Sequence, residues 1–150
     1  MNTPAKLMTL IATTSLLLTA CGSSGQSFEN AGEALDKLNE GINCSLENGP
    51  KNVEAKNGLV AYSLLECEVT GSLVPDGYDY LEIRVAEDSS ADLEELYTNS
   101  GEPTKDGGYS VVHGKNWVVL QSVTDEEMRP VMEKVQETLG GELISFEKSS

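Results

Sequence analysis

One histidine, three cysteines and 25 acidic side chains are the groups of this 150-residue chain with types suited to chemistry. A nucleophile-and-base hydrolase needs a serine, threonine or cysteine beside a histidine. His113, the one histidine, stands in "VVHGKNW" next to a turn, and the chain has no GxSxG. It reads as a solvent-facing side chain of a hairpin. One histidine with Cys21, Cys44 and Cys67 makes a poor zinc set, and without CxxC spacing the cysteines form no redox motif. In "PDGYDYLE", Asp76, Asp79 and Glu82 lack the alternating acids and terminal Glu of an EF-hand loop. Asp125, Glu126 and Glu127 suit the first turn of a helix, where the dipole favours anions. Glycosidase carboxylates pair in space rather than in sequence, but the chain is a small scaffold for a sugar cleft. No catalytic residue, metal site or cofactor is assigned.

The first cysteine ends an apolar run, "LLLTACGSSG". Upstream lie Lys6 and an uncharged stretch from Leu7 to Ala20, too short for a stable bilayer span and suited to a secretory h-region. Leu18, Thr19, Ala20 and Cys21 resemble the lipobox of bacterial lipoproteins. The resemblance implies cleavage before Cys21, acylation of its sulfur with palmitate-type chains and of the new amine, and a lipid-anchored protein facing outside the cytoplasm. The plain alternative is an ordinary signal-peptidase site followed by a free or bonded cysteine. Three cysteines are an odd number for an exported chain; with Cys21 acylated, Cys44 and Cys67 remain as one pair that an oxidising compartment would close. The expected organisation is a signal peptide over 1–20, a flexible tether over 21–27 and a single domain over 28–150.

The formal charge of the whole chain is −15. Removing residues 1–20 takes away one cation and no acid, leaving 9 Lys and Arg against 25 Asp and Glu, a formal −16. Nucleic acid is a poor partner at that charge, and an anionic bilayer repels it, so attachment is expected to rest on acyl chains. Solubility accounts for the acidity; steering of a cationic partner is the sharper alternative.

Apolar residues at Phe28, Ala31, Ala34, Leu35, Leu38 and Ile42 recur at three and four, predicting an amphipathic helix capped by Ser27 and stopped by Gly41 and Asn43. In "VEAKNGLVAYSLLECEV", Asn57 and Gly58 suit a two-residue hairpin turn. Its second strand alternates Leu65, Cys67 and Val69 against Tyr62, Leu64, Glu66 and Glu68. "VPDG" (74–77) is a turn before a strand with Leu81, Ile83 and Val85 on one face. "SSADLEELY" then reads as a helix capped by Ser89. "YSVVHGKNWVVLQS" reads as a hairpin turning at Gly114 and Lys115, and a last helix begins at Thr124 with Pro130 bending it or loosening its first turn. Gly140 and Gly141 end that helix, and "ELISFE" adds a short edge strand.

The steps at Ser89 and Thr124 superpose, with apolar residues at the same offsets and an acid three residues after each cap. The expected fold is α+β: a mainly antiparallel sheet of about five strands with helices packed on it; the superposition fits two ββα units after an N-terminal helix, and it equally fits the plain case of any strand that leads into a helix over one core. Both later helices should then lie on the face of Ile83 and Leu120. The opposite face would carry Tyr62, Leu64, Tyr80, Tyr109, Val111, Trp117 and Val119, too apolar for water alone. Either the first helix covers it or it is an aromatic patch for a small ligand or an envelope protein, with Tyr62, Tyr80, Tyr109, Trp117 and Val119 as the candidate face. The functional expectation is a membrane-anchored, non-enzymatic binding or accessory module. The alternatives are an inhibitor or immunity-type protein that captures a basic exported enzyme, and a small hydrolase.

Overall fold

A computed structural model describes residues 25–54, 60–71, 80–98, 109–121 and 126–146. The signal segment, Cys21, the turns at Asn57–Gly58 and 74–77, and the Thr124 cap lie outside the described residues. Among the described residues, three helices, α1 (Ala31–Leu38), α2 (Leu93–Thr98) and α3 (Arg129–Leu139), accompany seven strands: β1 (Asn43–Leu46), β2 (Lys51–Val53), β3 (Tyr62–Thr70), β4 (Tyr80–Ala86), β5 (Tyr109–His113), β6 (Trp117–Gln121) and β7 (Glu142–Phe146). They form one sheet in the order β1-β3-β4-β6-β5-β7, with β2 also on β3, and every pairing is antiparallel. The class is the α+β one expected, with more strands than about five.

β1, which was not expected, and β2, the first strand of the expected hairpin, share one edge. β1 pairs with Cys67–Thr70 and β2 with Tyr62–Leu64, so residues 47–50 oppose only Leu65 and Glu66 of β3. Pro50 lies in that interruption, which breaks up an edge otherwise open to strand addition. The disulfide joins Cys44 to Cys67 with a Cα–Cα separation of 5.3 Å. Cys44 faces Val69 in the register and Cys67 is its diagonal neighbour, so the bond ties β1 to β3.

The first helix starts three residues later than its periodicity suggested. Asn30, not Ser27, caps it, accepting from the Glu33 N–H at 3.0 Å, while the Glu33 carboxylate accepts from the Glu29 N–H at 2.6 Å. Phe28 stays outside the helix and is buried. A Cβ on Gly41 would overlap the Thr138 side chain, so glycine there lets α1 and α3 approach. Asp92, rather than Ser89, supports α2: its carboxylate accepts from the Glu94 N–H at 3.0 Å. Asp88 closes the preceding turn through Ser90, whose N–H and hydroxyl both bond its Oδ1 and hold its carboxyl below the usual aspartate range. A 3₁₀ turn (Glu126–Met128) precedes α3, which is capped at Met128 without a side-chain bond and has Pro130 in its first turn. Proline lacks an N–H and crowds the carbonyl four residues back, so the α-helix begins beside it. Gly140 and Gly141 have φ of +77° and +84° and turn the chain from α3 into β7.

The two ββα runs occur in the element order, but their helices lie on opposite faces. Ile83 pairs with Val119, and Leu120 with Glu82. Antiparallel partners share a face, so Ile83 and Leu120 are back to back. On one side, Ala31, Ala34, Leu35 and Leu38 of α1 and Val131, Met132, Val135 and Leu139 of α3 pack on Leu65, Cys67, Leu81, Ile83, Val85, Val112, Trp117 and Val119. On the other, Leu96 of α2 packs with Ala86, Val111, Val118 and Leu120. The superposition at Ser89 and Thr124 assumed equal parity after β4 and β6. That parity holds: Ile83 and Val85 face away from α2, and Val118 and Leu120 face away from α3; but β4 and β6 pair odd-numbered with odd-numbered residues, so the two equivalent sets, and the helices with them, fall on opposite faces of the sheet.

Candidate functional site

The five residues expected to share an aromatic face do not share one. Trp117 and Val119 are 0% exposed, under α1 and α3. Tyr62 and Tyr80 are half-buried on the α2 side of β3 and β4. Tyr109 opposes Phe146 in the register, and its side chain lies outside the described residues. Two registers explain the split: Val85 opposite Trp117 sets Trp117 and Val119 back to back with Tyr62 and Tyr80, and the β5–β6 hairpin separates Tyr109 from Trp117 and Val119. Gly114 N–H bonds the Trp117 carbonyl at 2.9 Å and His113 opposes Val118, so the turn residues are Lys115 and Asn116, one later than expected. Any two-residue turn pairs odd-numbered with even-numbered residues, which sets Val111 opposite Leu120 and never beside Val119.

Around this turn a buried construction of polar contacts joins distant parts of the chain. The Trp117 indole N–H donates to the Gln26 carbonyl at 2.6 Å, and the ring meets Phe28 with centroids 5.8 Å apart. The Asn116 carboxamide accepts from Phe28 N–H at 3.1 Å and donates to Phe28 O at 2.8 Å and Ala86 O at 3.3 Å. Residues 25–28 are thus strapped to the β5–β6 turn. Glycines give the indole room: a Cβ on Gly114 would overlap the ring, and one on Gly25 would stand 3.1 Å from Trp117 Cζ2. Gly25 has a φ of +68°, a second reason for glycine there. The strap was missed because its parts are far apart in sequence; the lone Trp three residues after a glycine was the available signal.

The second construction lies under α2. Arg84 is buried, with Nε and Nη2 on the Glu82 carboxylate, Nη1 on the Leu96 carbonyl, and its guanidinium 5.4 Å from the Tyr62 ring centroid. Arginine's planar fork suits this mixture of carboxylate, carbonyl and ring face. Toward β1 the same side of the sheet is acidic. Glu66 faces Glu82 across β3 and β4 and Glu68 faces Tyr80; Glu66 is exposed, and Leu64, Glu68, Tyr80 and Glu82 are half-buried. Opposed carboxylates repel across a sheet, and the Arg84 guanidinium on Glu82 offsets that repulsion.

His113 lies on the strand side of the turn with its side chain 21% exposed and its Nε2 3.6 Å from the carboxylate of Glu142, which is 75% exposed. Nδ1 is buried without a hydrogen-bond partner. Among the described residues, no three His, Cys, Asp or Glu side chains converge as a metal site, and no helix is long and apolar enough to cross a membrane. No protein-family model, curated protein or solved structure matches the chain.

Proposed function

We propose that this chain is an exported lipoprotein, anchored to the cell membrane through acylated Cys21, whose single domain acts outside the cytoplasm as a non-enzymatic binding or accessory module. The observation that carries the anchoring is the closed Cys44–Cys67 bond. It consumes two of three cysteines in a bond typical of oxidising compartments and leaves Cys21, after an apolar run, as the odd thiol. Labelling cells with an alkyne fatty acid tests this. Label should enter the wild type and be absent from Cys21→Ser, which should leave the membrane fraction or accumulate uncleaved. An unlabelled wild type would end the reading.

The binding surface consistent with this role is the outer face of β3 and β4, where Glu66, Glu68 and Glu82 surround Tyr80 and Leu64. Arg84 already offsets Glu82, so Glu66 and Glu68, which take part in no salt bridge among the described residues, are the acids that a cationic partner would meet here. This favours, as the second reading, capture of a basic exported enzyme. Such an association should weaken with salt and with Glu66→Gln plus Glu68→Gln, variants that leave the Glu82–Arg84 pair in place. Salt-insensitive binding unaffected by both substitutions would exclude this face. Turnover abolished by His113→Ala would replace both binding readings with a small hydrolase.

A further inference from the structure

The strap fixes where the anchor joins the domain. Resting on the lipid anchor at Cys21, we infer that the end of the sheet bearing the β5–β6 turn, with Lys115 at its tip, lies against the bilayer headgroups. Only four peptide steps separate Cys21 from Gly25, a reach of at most about 14 Å even when fully extended. At Gly25 the chain is already part of the fold: a Cβ there would stand 3.1 Å from Gly141 N and 3.4 Å from Gly114 Cα. Gln26 and Phe28, which follow, are held by the Trp117 indole and the Asn116 carboxamide. The anchor therefore pulls on the sheet end where β5 leads into β6, not on a loose leader.

The register extends this geometry across the sheet. Trp117 faces Val85, and Val85 faces Ser63, so the strap sits level with the start of β3. Thr70 lies seven residues further along β3, on the order of 23 Å away. Glu66 and Glu68 fall on that outer length, toward the end away from the anchor. Lys115 is exposed at the near end, but so are Glu87, Asp88 and Glu142. The contact is imposed by the short tether and not by charge, in keeping with an acidic protein that a headgroup layer does not attract.

The test uses the full acylated protein on phosphatidylcholine vesicles containing a headgroup-nitroxide lipid. Lys115→Cys and Thr70→Cys each supply one thiol for a bimane label, since Cys44–Cys67 is closed and Cys21 is acylated. Both positions are exposed; a non-reducing peptide map with Cys44 linked to Cys67 certifies each variant, and Asn43→Cys, opposite Thr70, serves as a second far label. Bimane at 115 should be quenched several-fold more than at 70 or 43. Equal quenching in acylated, vesicle-bound protein overturns the orientation and leaves the anchor standing. A protein with no acyl chain that fails to float with vesicles overturns the anchor, and the orientation with it. A long Gly-Ser insertion between Ser24 and Gly25 should abolish the difference while flotation persists; an undiminished difference would trace the contact to the domain surface and overturn the strap account.

Discussion

Replacing Asn116 by alanine should release the strap. The side chain is 5% exposed and makes three hydrogen bonds, so its removal strands the Phe28 N–H, the Phe28 carbonyl and the Ala86 carbonyl. Each buried polar group left unsatisfied costs about 1–3 kcal/mol. The chain can limit that loss by letting residues 25–28 detach, at the cost of exposing Phe28, about 2–3 kcal/mol of apolar burial. A strap that stayed seated would cost about 3–9 kcal/mol for three unsatisfied groups, so detachment caps the destabilisation at roughly 2–4 kcal/mol, and for a domain of this size lowers the Tm by on the order of 10 °C. Trp117 distinguishes them, because it is the sole tryptophan and Gln26 and Phe28 both touch it. Wild-type emission should be blue and resist acrylamide. In Asn116→Ala, red-shifted and quenchable emission in the native baseline would report a detached strap, whereas unchanged emission with a lowered Tm would report a strained but seated one. Urea unfolding followed by far-UV circular dichroism gives the free energy. A change under about 0.5 kcal/mol with unaltered emission would refute the reasoning, since surface substitutions typically fall in that range.

Leu38→Ala should cost about 2–4 kcal/mol as a truncation in the layer between α1 and the sheet, while Leu46→Ala, at a side chain 50% exposed, should be nearly neutral in the same urea assay. Non-reducing peptide mapping should link Cys44 to Cys67, and the double alanine variant should lose roughly 3 kcal/mol by the chain-entropy estimate for this 23-residue separation. Arg84→Ala should destabilise by about 2–3 kcal/mol and increase amide exchange in α2, because it leaves the Leu96 carbonyl and the Glu82 carboxylate without their partner. Asp88 should titrate below an ordinary aspartate by NMR. Its folded-state value is depressed, so its contribution is fully present above the unfolded value and is lost as pH falls through the folded one; the turn into α2 should therefore loosen only in strong acid, and Asp88→Asn should remove that dependence.

Local sequence was enough for several features because their physics is local. The alternation in "SLLECEV" put Cys67 inside, and Ser63, Leu65, Cys67 and Val69 are buried along β3. The spacing of Ala31, Ala34, Leu35 and Leu38 marked the buried side of α1, and paired glycines at 140 and 141 marked the end of α3 through their positive φ. Parity of three cysteines pointed to Cys44 with Cys67. What only the tertiary structure decided was which periodic face meets which. A strand's alternation names two faces without saying which partner covers either, and cross-strand register settles it. Ile83 with Val119, rather than with Leu120, sends α3 to join α1 and leaves α2 alone on the other side. The same holds for the strap, where Asn116 and Trp117 act on Gln26 and Phe28 across about 90 residues of chain, beyond any local pattern.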